Sequence, residues 1–410
     1  MTSAVSRDAA TLSALRGLLV DLRDKNPFYM PRLRDVSPPM PSSLADFASR
    51  YPLTSKAELV ADAMAHPPYG TNRSEPLARF TRCHQTSGTT GQPLRWLDTP
   101  ESWAAMTEDW WEVLRQAGLV PPDRVLFAFS FGPFLGFWLA FEAALKLGAL
   151  CIPGGGMSSA QRVRVAEENS VTVLCCTPTY ALHLGKAADE AGWDKSSVRL
   201  LIVAGEPGGS IPSVRTRLTK AWPMARVFDH HGMTEAGPVT YEDPRQPGHL
   251  VILERSFLAE CIDPVSLQPV AEGRQGELVL TTLRRRASPL LRYRTGDLVQ
   301  MRRSASGLVL EGGILGRVDD MVVVRGVNVY PSAVEAVVRE FPEVEEFQVT
   351  LDRTGILAEV DMEVEASPSV AAALEARLLR DMGLRIPVRP AEPGTLPRFE
   401  LKARRWRTIG

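Results

Sequence analysis

The sequence predicts an α/β protein. A large N-terminal domain of parallel sheets covered by helices carries a barrel-like subdomain, and a small α+β domain follows it. Three observations lead there. At 410 residues the chain is too long for one compact core. Between residues 125 and 229 short apolar runs alternate with helix-like segments, the pattern of crossover units and hence of a parallel sheet covered on both faces. After Gly248 short strands follow one another without long helices, as in an antiparallel or barrel-like unit.

In chain order, residues 1–80 read as short helices and irregular connections, with breaks at Pro38, Pro39 and Pro41. Residues 125–129 read as a strand, 136–147 as a helix, 149–153 as a strand and 159–169 as an amphipathic helix. Strands are expected over 171–175, 200–203 and 226–229. In the barrel-like part they are expected over 249–254, 259–262, 276–281, 298–301 and 308–311. A second boundary near residues 315–320 divides the chain into domains of 1–315 and 316–410. Beyond it, a helix over 332–340, two strands and a helix over 370–382 make the small unit.

Composition narrows the function. An apolar share of 44% and a charged share of 23% are those of an ordinary globular chain. A formal net charge of −1 argues against a general polyanion binder, so no nucleic-acid partner is expected. The run Arg284, Arg285 and Arg286 reads as a solvated loop or as a local contact for a phosphate-bearing ligand. Five cysteines without a CxxC pair make no disulfide framework. Cys175 and Cys176, in an apolar run, read as buried free thiols, which suits a reducing cytoplasm. Residues 1–10 carry charge with no following apolar core, so no signal peptide is expected. The uncharged stretch 125–141 is interrupted by Ser130, Gly132, Pro133 and Gly136, and reads as strand, turn and helix; no membrane partner is expected.

Chemistry enters at Thr86. Thr86, Ser87, Gly88, Thr89, Thr90 and Gly91 place two glycines and four hydroxyl residues in six positions. Such a loop can wrap a polyphosphate with N–H and hydroxyl donors, and it can equally be a plain turn. The GxxxxGK[ST] order is absent, so it is not a Walker loop. Ala204, Gly205, Glu206 and Pro207 follow an apolar strand, where ligands meet a parallel sheet. Asp229, His230, His231, Gly232, Met233, Thr234 and Glu235 follow the next strand. Residues 293–298 set Asp297 on a tight turn, Arg317 and Asp319 lie at the domain boundary, and Lys402 comes near the end.

Taken in this order, the segments resemble the ANL superfamily of adenylate-forming enzymes, and within it the phenylacetate–CoA ligase branch. The Arg325-Gly326-Val327-Asn328-Val329 turn, the Gly-Glu-Pro segment at Gly205, Asn26-Pro27-Phe28-Tyr29 and Pro52-Leu53-Thr54-Ser55-Lys56 carry the closer match. The resemblance implies ATP-dependent activation of an aryl carboxylic acid to an acyl-adenylate with pyrophosphate release, then transfer to a thiol, with coenzyme A as the expected acceptor. Two alternatives stay open. One is an adenylating enzyme with another acceptor, either a carrier protein or nitrite activation coupled to an aryl amine. The other is a non-catalytic nucleotide-binding homologue, against which Lys402 argues.

By the same resemblance, Ser87 to Gly91 hold the β- and γ-phosphates of ATP, and Ala204, Gly205 and Glu206 line the adenine slot. Thr234 bonds the α-phosphate and Glu235 holds Mg²⁺. Asp297 accepts from the ribose hydroxyls with Arg317 beside it. Lys402 bridges the substrate carboxylate and the α-phosphate, and Asp319 is the hinge of a mobile small domain. Departures are also plain. His231 stands where the family often has a stacking tyrosine, and Leu401 stands where a glycine precedes the lysine. Asp243 and Glu311-Gly312-Gly313 occupy the regions where some relatives carry zinc-binding cysteines, so no zinc is expected. Phe131, Phe134, Trp138 and Phe141 fall in the acyl-pocket segment; their near-helical spacing also fits plain core packing.

Overall fold

The structure is a computed structural model that describes residues 4–86, 93–318, 322–324, 327–353, 358–398 and 405–409. The chain opens differently from the expectation of short N-terminal helices. Ala4–Lys25 is a single helix of 22 residues. Its buried stripe is narrow: Leu15, Leu18, Leu19 and Leu22 recur at helical spacing and are fully buried, while Val20 on another face is 44% exposed. Asn26 closes the helix end. Its side-chain oxygen accepts from the Phe28 and Tyr29 N–H groups at 3.1 Å, and its amide nitrogen donates to Asn72 and Ser74. Tyr29 then accepts at its hydroxyl from the Leu291 N–H at 3.0 Å, tying the N-terminal segment to the barrel-like part.

A hairpin of β1 (Arg82–Gln85) and β2 (Arg95–Asp98) precedes the parallel sheet. The sheet contains β3 (Arg124–Phe127), β4 (Leu150–Pro153), β5 (Val173–Cys176), β6 (Leu200–Val203) and β7 (Arg226–Asp229). Their order is β4-β3-β5-β6-β7, with every neighbouring pair parallel. Residues of β5 and β6 are buried at every position, as inner strands covered on both faces must be. Cys175 and Cys176 are accordingly buried free thiols, and alternation sends them to the hydrophobic clusters on opposite faces of the sheet. The stretch 125–141 resolves into β3, a loop and the helix Leu135–Leu147, which stops at Gly148 in the left-handed conformation (φ 97°). Among the described residues no helix is long and apolar enough to cross a membrane.

The hairpin of β8 (Gly232–Met233) and β9 (Gly237–Pro238) leads into an antiparallel sheet. That sheet comprises β10 (Thr240–Glu242), β11 (Leu250–Ile252), β12 (Phe257–Ile262), β13 (Gln275–Thr282), β14 (Tyr293–Ser304) and β15 (Gly307–Leu310). A short β16 (Gly316–Arg317) pairs with β14, setting Arg317 opposite Asp297. Asp297 is therefore not on a tight turn: it lies within the 12-residue β14. The turn-like residues make a bulge instead. The β13–β14 register shifts between Glu277 and Val279, and Gly296 takes φ +76°. Thr295 Oγ1 donates to the Leu278 carbonyl at 2.8 Å and accepts from the Asp297 N–H at 3.0 Å, so the extra residues are held in place.

A third hydrophobic cluster draws only on residues from Val322 onward. It joins the helices Pro331–Val338 and Pro368–Met382 to a four-stranded sheet containing Phe347–Asp352 and Glu359–Glu365. The small α+β unit thus has its own core.

Candidate active site

Ligand sites in parallel sheets lie beyond the carboxyl ends of the strands, where residues 204–207 and 230–235 follow β6 and β7. Beyond β6, Gly205 takes φ +92° and turns the chain so that Glu206 Oε1 accepts from the Thr179 N–H at 2.7 Å. This sets a carboxylate on the first turn of the helix Pro178–Glu190, where orphan N–H groups and the helix dipole favour negative charge. Beyond β7, Asp229 and His230 turn inward. Asp229 accepts from Ser210 Oγ at 2.6 Å and from the His230 N–H at 2.9 Å, and burial pushes its carboxyl up to about 6. The buried His230 ring packs 4.3 Å from that of Trp110, and its Nδ1–H donates to the Thr240 carbonyl at 2.6 Å. Burial pushes His230 down to about 3, so the ring is neutral. Both side chains are buried at the end of β7.

His231 faces the other way. Its Nε2 lies 3.1 Å from Asp297 Oδ2, and a carboxylate can only accept, so Nε2 carries the proton. His231 Nδ1 is buried and has no hydrogen-bond partner among the described residues. On the opposite side, Arg317 Nη1 donates to Asp297 Oδ1 at 3.0 Å and to the Thr295 carbonyl at 3.1 Å. Asp297 is 4% exposed. Burial raises its carboxyl, but the His231 bond and the Arg317 charge outweigh that and hold it below the usual carboxylate value. Each oxygen of this ionised group takes one side-chain donor and can accept a second.

Thr234 and Glu235 sit at the tip of the β8–β9 hairpin. The Glu235 side chain is 7% exposed, and Lys56 Nζ lies 3.3 Å from its Oε1. Lys56 is fixed at the start of the helix Lys56–Ala65 by a capping box, in which Ser55 and Glu58 exchange bonds. Behind the hairpin, Arg285 Nη1 donates to the carbonyls of Thr234 (2.7 Å) and Glu235 (2.9 Å). Within the arginine run Arg284 and Arg286 keep solvent access, as in a solvated loop, and Arg285 alone is buried. Arg284 pairs with Glu108 and Asp109, Arg286 with Asp21, and the buried Arg285 with Asp98.

Thr86 closes the base of the Gly/Thr loop: its N–H donates to the Leu94 carbonyl at 2.9 Å and its Oγ1 accepts from the Leu94 N–H at 3.1 Å. Ser87, Gly88, Thr89, Thr90, Gly91, Asp319 and Lys402 lie outside the described residues. The Gln85 N–H donates to the Pro133 carbonyl, joining that base to the aromatic segment. There Phe131 meets Trp138 (5.0 Å) and Phe141 (5.5 Å), while Phe134 reaches the group only through Phe137 (6.1 Å). Trp138 is 41% exposed and donates from Nε1 to the Gly132 carbonyl at 3.0 Å. Phe129 and Phe137, absent from the sequence expectation, stack at 3.8 Å in the middle of the cluster.

The family description "AMP-binding enzyme" matches residues 84–282, and "AMP-binding enzyme C-terminal domain" matches residues 326–407. Phenylacetate-coenzyme A ligase of Thermus thermophilus is 33% identical over 381 residues, covering 90% of this chain and 83% of its own. The chain belongs to the AMP-binding enzymes. It is an ATP-dependent, adenylate-forming ligase of the group that includes the coenzyme A ligases. Among solved structures, a 2-hydroxyisobutyryl-CoA ligase in the postadenylation state superposes with a TM-score of 0.91 at 28% identity, covering 100% of this chain and 91% of its own. The same ligase in the thioesterification state superposes at 0.75 with 29% identity, covering 99% and 91%.

Within this AMP-binding enzyme, sequence reasoning missed four site-forming residues. In sequence Lys56 belongs only to the N-terminal resemblance, and Arg285 only to a charge run. Asp98 lies 187 residues from Arg285, so no local signal joins them. Ser210, which seats Asp229, is an ordinary turn serine in sequence. Asp243 and Glu311, in the regions where some relatives bind zinc, have protein partners: Asp243 accepts from Arg245 and Ser306, and Glu311 pairs with Arg302.

Proposed function

We propose that the chain activates an aryl carboxylic acid and delivers it to coenzyme A. The observation that carries this reading is Asp297, an ionised, buried carboxylate held between Arg317 and His231 with an acceptor position left on each oxygen. A vicinal diol such as ribose presents two donors at that spacing. In the first half-reaction the substrate carboxylate oxygen attacks the α-phosphorus of ATP, the bond between that phosphorus and the α,β-bridging oxygen breaks, and pyrophosphate leaves with the bonding pair. In the second, the thiolate sulfur attacks the acyl carbonyl and AMP leaves with the bonding pair.

The residues divide the work. Ser87 to Gly91 wrap the β- and γ-phosphates with N–H and hydroxyl donors. Ala204, Gly205, Glu206 and Pro207 border the adenine slot, Gly232 allows close approach, and Thr234 donates to the α-phosphate. Lys402 supplies positive charge where negative charge grows at phosphorus. Glu235 fits Mg²⁺: a single hard, largely buried carboxylate suits an ion that takes one or two carboxylates alongside substrate phosphates. Bound there, the ion would neutralise phosphate charge. Phe131, Trp138 and Phe141, in contact largely edge to face and extended by the stacked Phe129 and Phe137, make an aromatic cluster, which with the phenylacetate relatives favours an aryl acid.

ATP–pyrophosphate exchange with a panel of aryl and short aliphatic acids tests this, followed by thioester formation with coenzyme A. Exchange dependent on an aryl acid, with thioester as product, is expected. Exchange driven by nitrite, and by none of the acids, would overturn it.

A further inference from the structure

The geometry points to Arg285, seated by Asp98, as the positioning residue that sets the Thr234–Glu235 turn for adenylation; this rests on the roles proposed above for Thr234 and Glu235. Arg285 is 2% exposed and Asp98 is 0% exposed. Two parallel bonds join them, Nε to Oδ1 at 2.8 Å and Nη2 to Oδ2 at 2.6 Å, which fixes the guanidinium plane. The Trp96 ring, 5.5 Å from Cζ, borders that plane. The remaining nitrogen, Nη1, donates to two consecutive carbonyls, those of Thr234 and Glu235.

Two consecutive carbonyls aimed at one point do not occur in an extended strand, where successive carbonyls alternate. The β8 and β9 segments on either side have only two residues each, so the hairpin itself offers little to hold its tip. A donor behind the turn is what keeps both peptide planes in this setting. Within a trans peptide the C=O and the following N–H are antiparallel. Fixing the Thr234 carbonyl toward Arg285 therefore fixes the Glu235 N–H on the opposite side, and the Glu235 carbonyl does the same for Ala236, whose N–H donates back to Met233. Arg285 thus sets the direction in which the Thr234 and Glu235 side chains leave the turn without touching the ligand itself. A catalytic group displaced by about 1 Å can lose on the order of 10²-fold in rate.

Lysine keeps the charge but lacks the planar fork, so Arg285→Lys can satisfy Asp98 only by releasing the carbonyls. The double variant Asp98→Leu/Arg285→Met removes both charges and leaves no buried ion alone. Both should be compared with wild type and with Glu235→Gln in ATP–pyrophosphate exchange, assayed well below each protein's Tm. For both variants we expect an exchange kcat at least about tenfold lower and a higher Mg²⁺ requirement, with an unchanged KM for the acid. Exchange within about twofold of wild type in Arg285→Lys, while Glu235→Gln is inactive, overturns the positioning role. Loss of rate only in proportion to loss of Tm overturns it as well. Should Glu235→Gln itself exchange normally, the assignment of the site fails, and the clamp with it.

Discussion

Asp229 and Asp297 show how environment assigns different states to one residue type within a single site. Both are buried, yet Asp297 has an arginine and a histidine against its oxygens and stays ionised, while Asp229 is seated by Ser210 near the like charge of Glu242 and titrates at about 6. The raised value has a sign. Between the ordinary value of 3.8 and about 6, the folded protein keeps a proton that the unfolded chain has released. Stability is therefore lost as pH rises through that window and is level above it. An asparagine side chain at this position cannot ionise, so Asp229→Asn should gain on wild type by about 2 kcal/mol between about pH 4.5 and 7.5, one pKa unit being about 1.4 kcal/mol. Urea unfolding at both pH values measures this. A difference that does not change with pH would show that Asp229 does not titrate as described.

At the scale of elements, the bulge in β14 aims Asp297. Gly296 adopts φ +76° there, and its N–H donates to Glu277 Oε1 at 3.1 Å. Glu277 in turn holds Arg294 at 2.6 Å, so the bulge is braced from the neighbouring strand. A side chain at that φ costs about 1–2 kcal/mol. Gly296→Ala should therefore unfold at lower denaturant by that amount and bind ATP more weakly, because relief of the strain moves Asp297. Calorimetric titration with ATP beside a denaturation curve checks both. Unaltered affinity in a destabilised variant would mean that the bulge serves stability alone. Gly237, at φ +94° with Met106 Sδ 2.8 Å from where a Cβ would stand, constrains the other end of the Thr234 hairpin in the same way.

For the whole molecule, the question is how the small domain meets the large one. The arrangement is more like that of the ligase in its postadenylation state than in its thioesterification state, with TM-scores of 0.91 and 0.75 against the same protein. We propose a rotation of one unit against the other as the source of this difference, since the small unit has its own core. We propose that the pivot is Asp319, which lies outside the described residues, two positions in sequence after the Arg317 that β16 sets opposite Asp297. Proline fixes φ and removes the N–H, so Asp319→Pro should hold one orientation. Pyrophosphate exchange is expected to survive while thioester formation falls by on the order of 10²-fold or more. Parallel loss of both half-reactions, with a lowered Tm, would mean that Asp319 only supports local structure.

Much of this was readable from the chain by itself. Alternating apolar runs and helical segments specify the crossover sheet, since inner strands buried on both faces must be apolar throughout, as in β5 and β6. The spaced motifs also determined the family and the residues to watch, because close backbone approach and phosphate chemistry demand particular residues at particular spacings. The first helix was illegible because the fully buried Leu15, Leu18, Leu19 and Leu22 make a narrow stripe beside an exposed Val20 and scattered alanines. His230 and His231 are adjacent and alike in sequence, and only packing sends one against Trp110 and the other to Asp297. Arg285 looked like its neighbours in a charge run. Its isolation from water and its pairing with Asp98, 187 residues away, exist only once the β1–β2 hairpin and the loop after β13 are brought together by the fold. Partners so distant in the chain leave no periodic or local trace, which is why the tertiary structure alone decided what holds the site in shape.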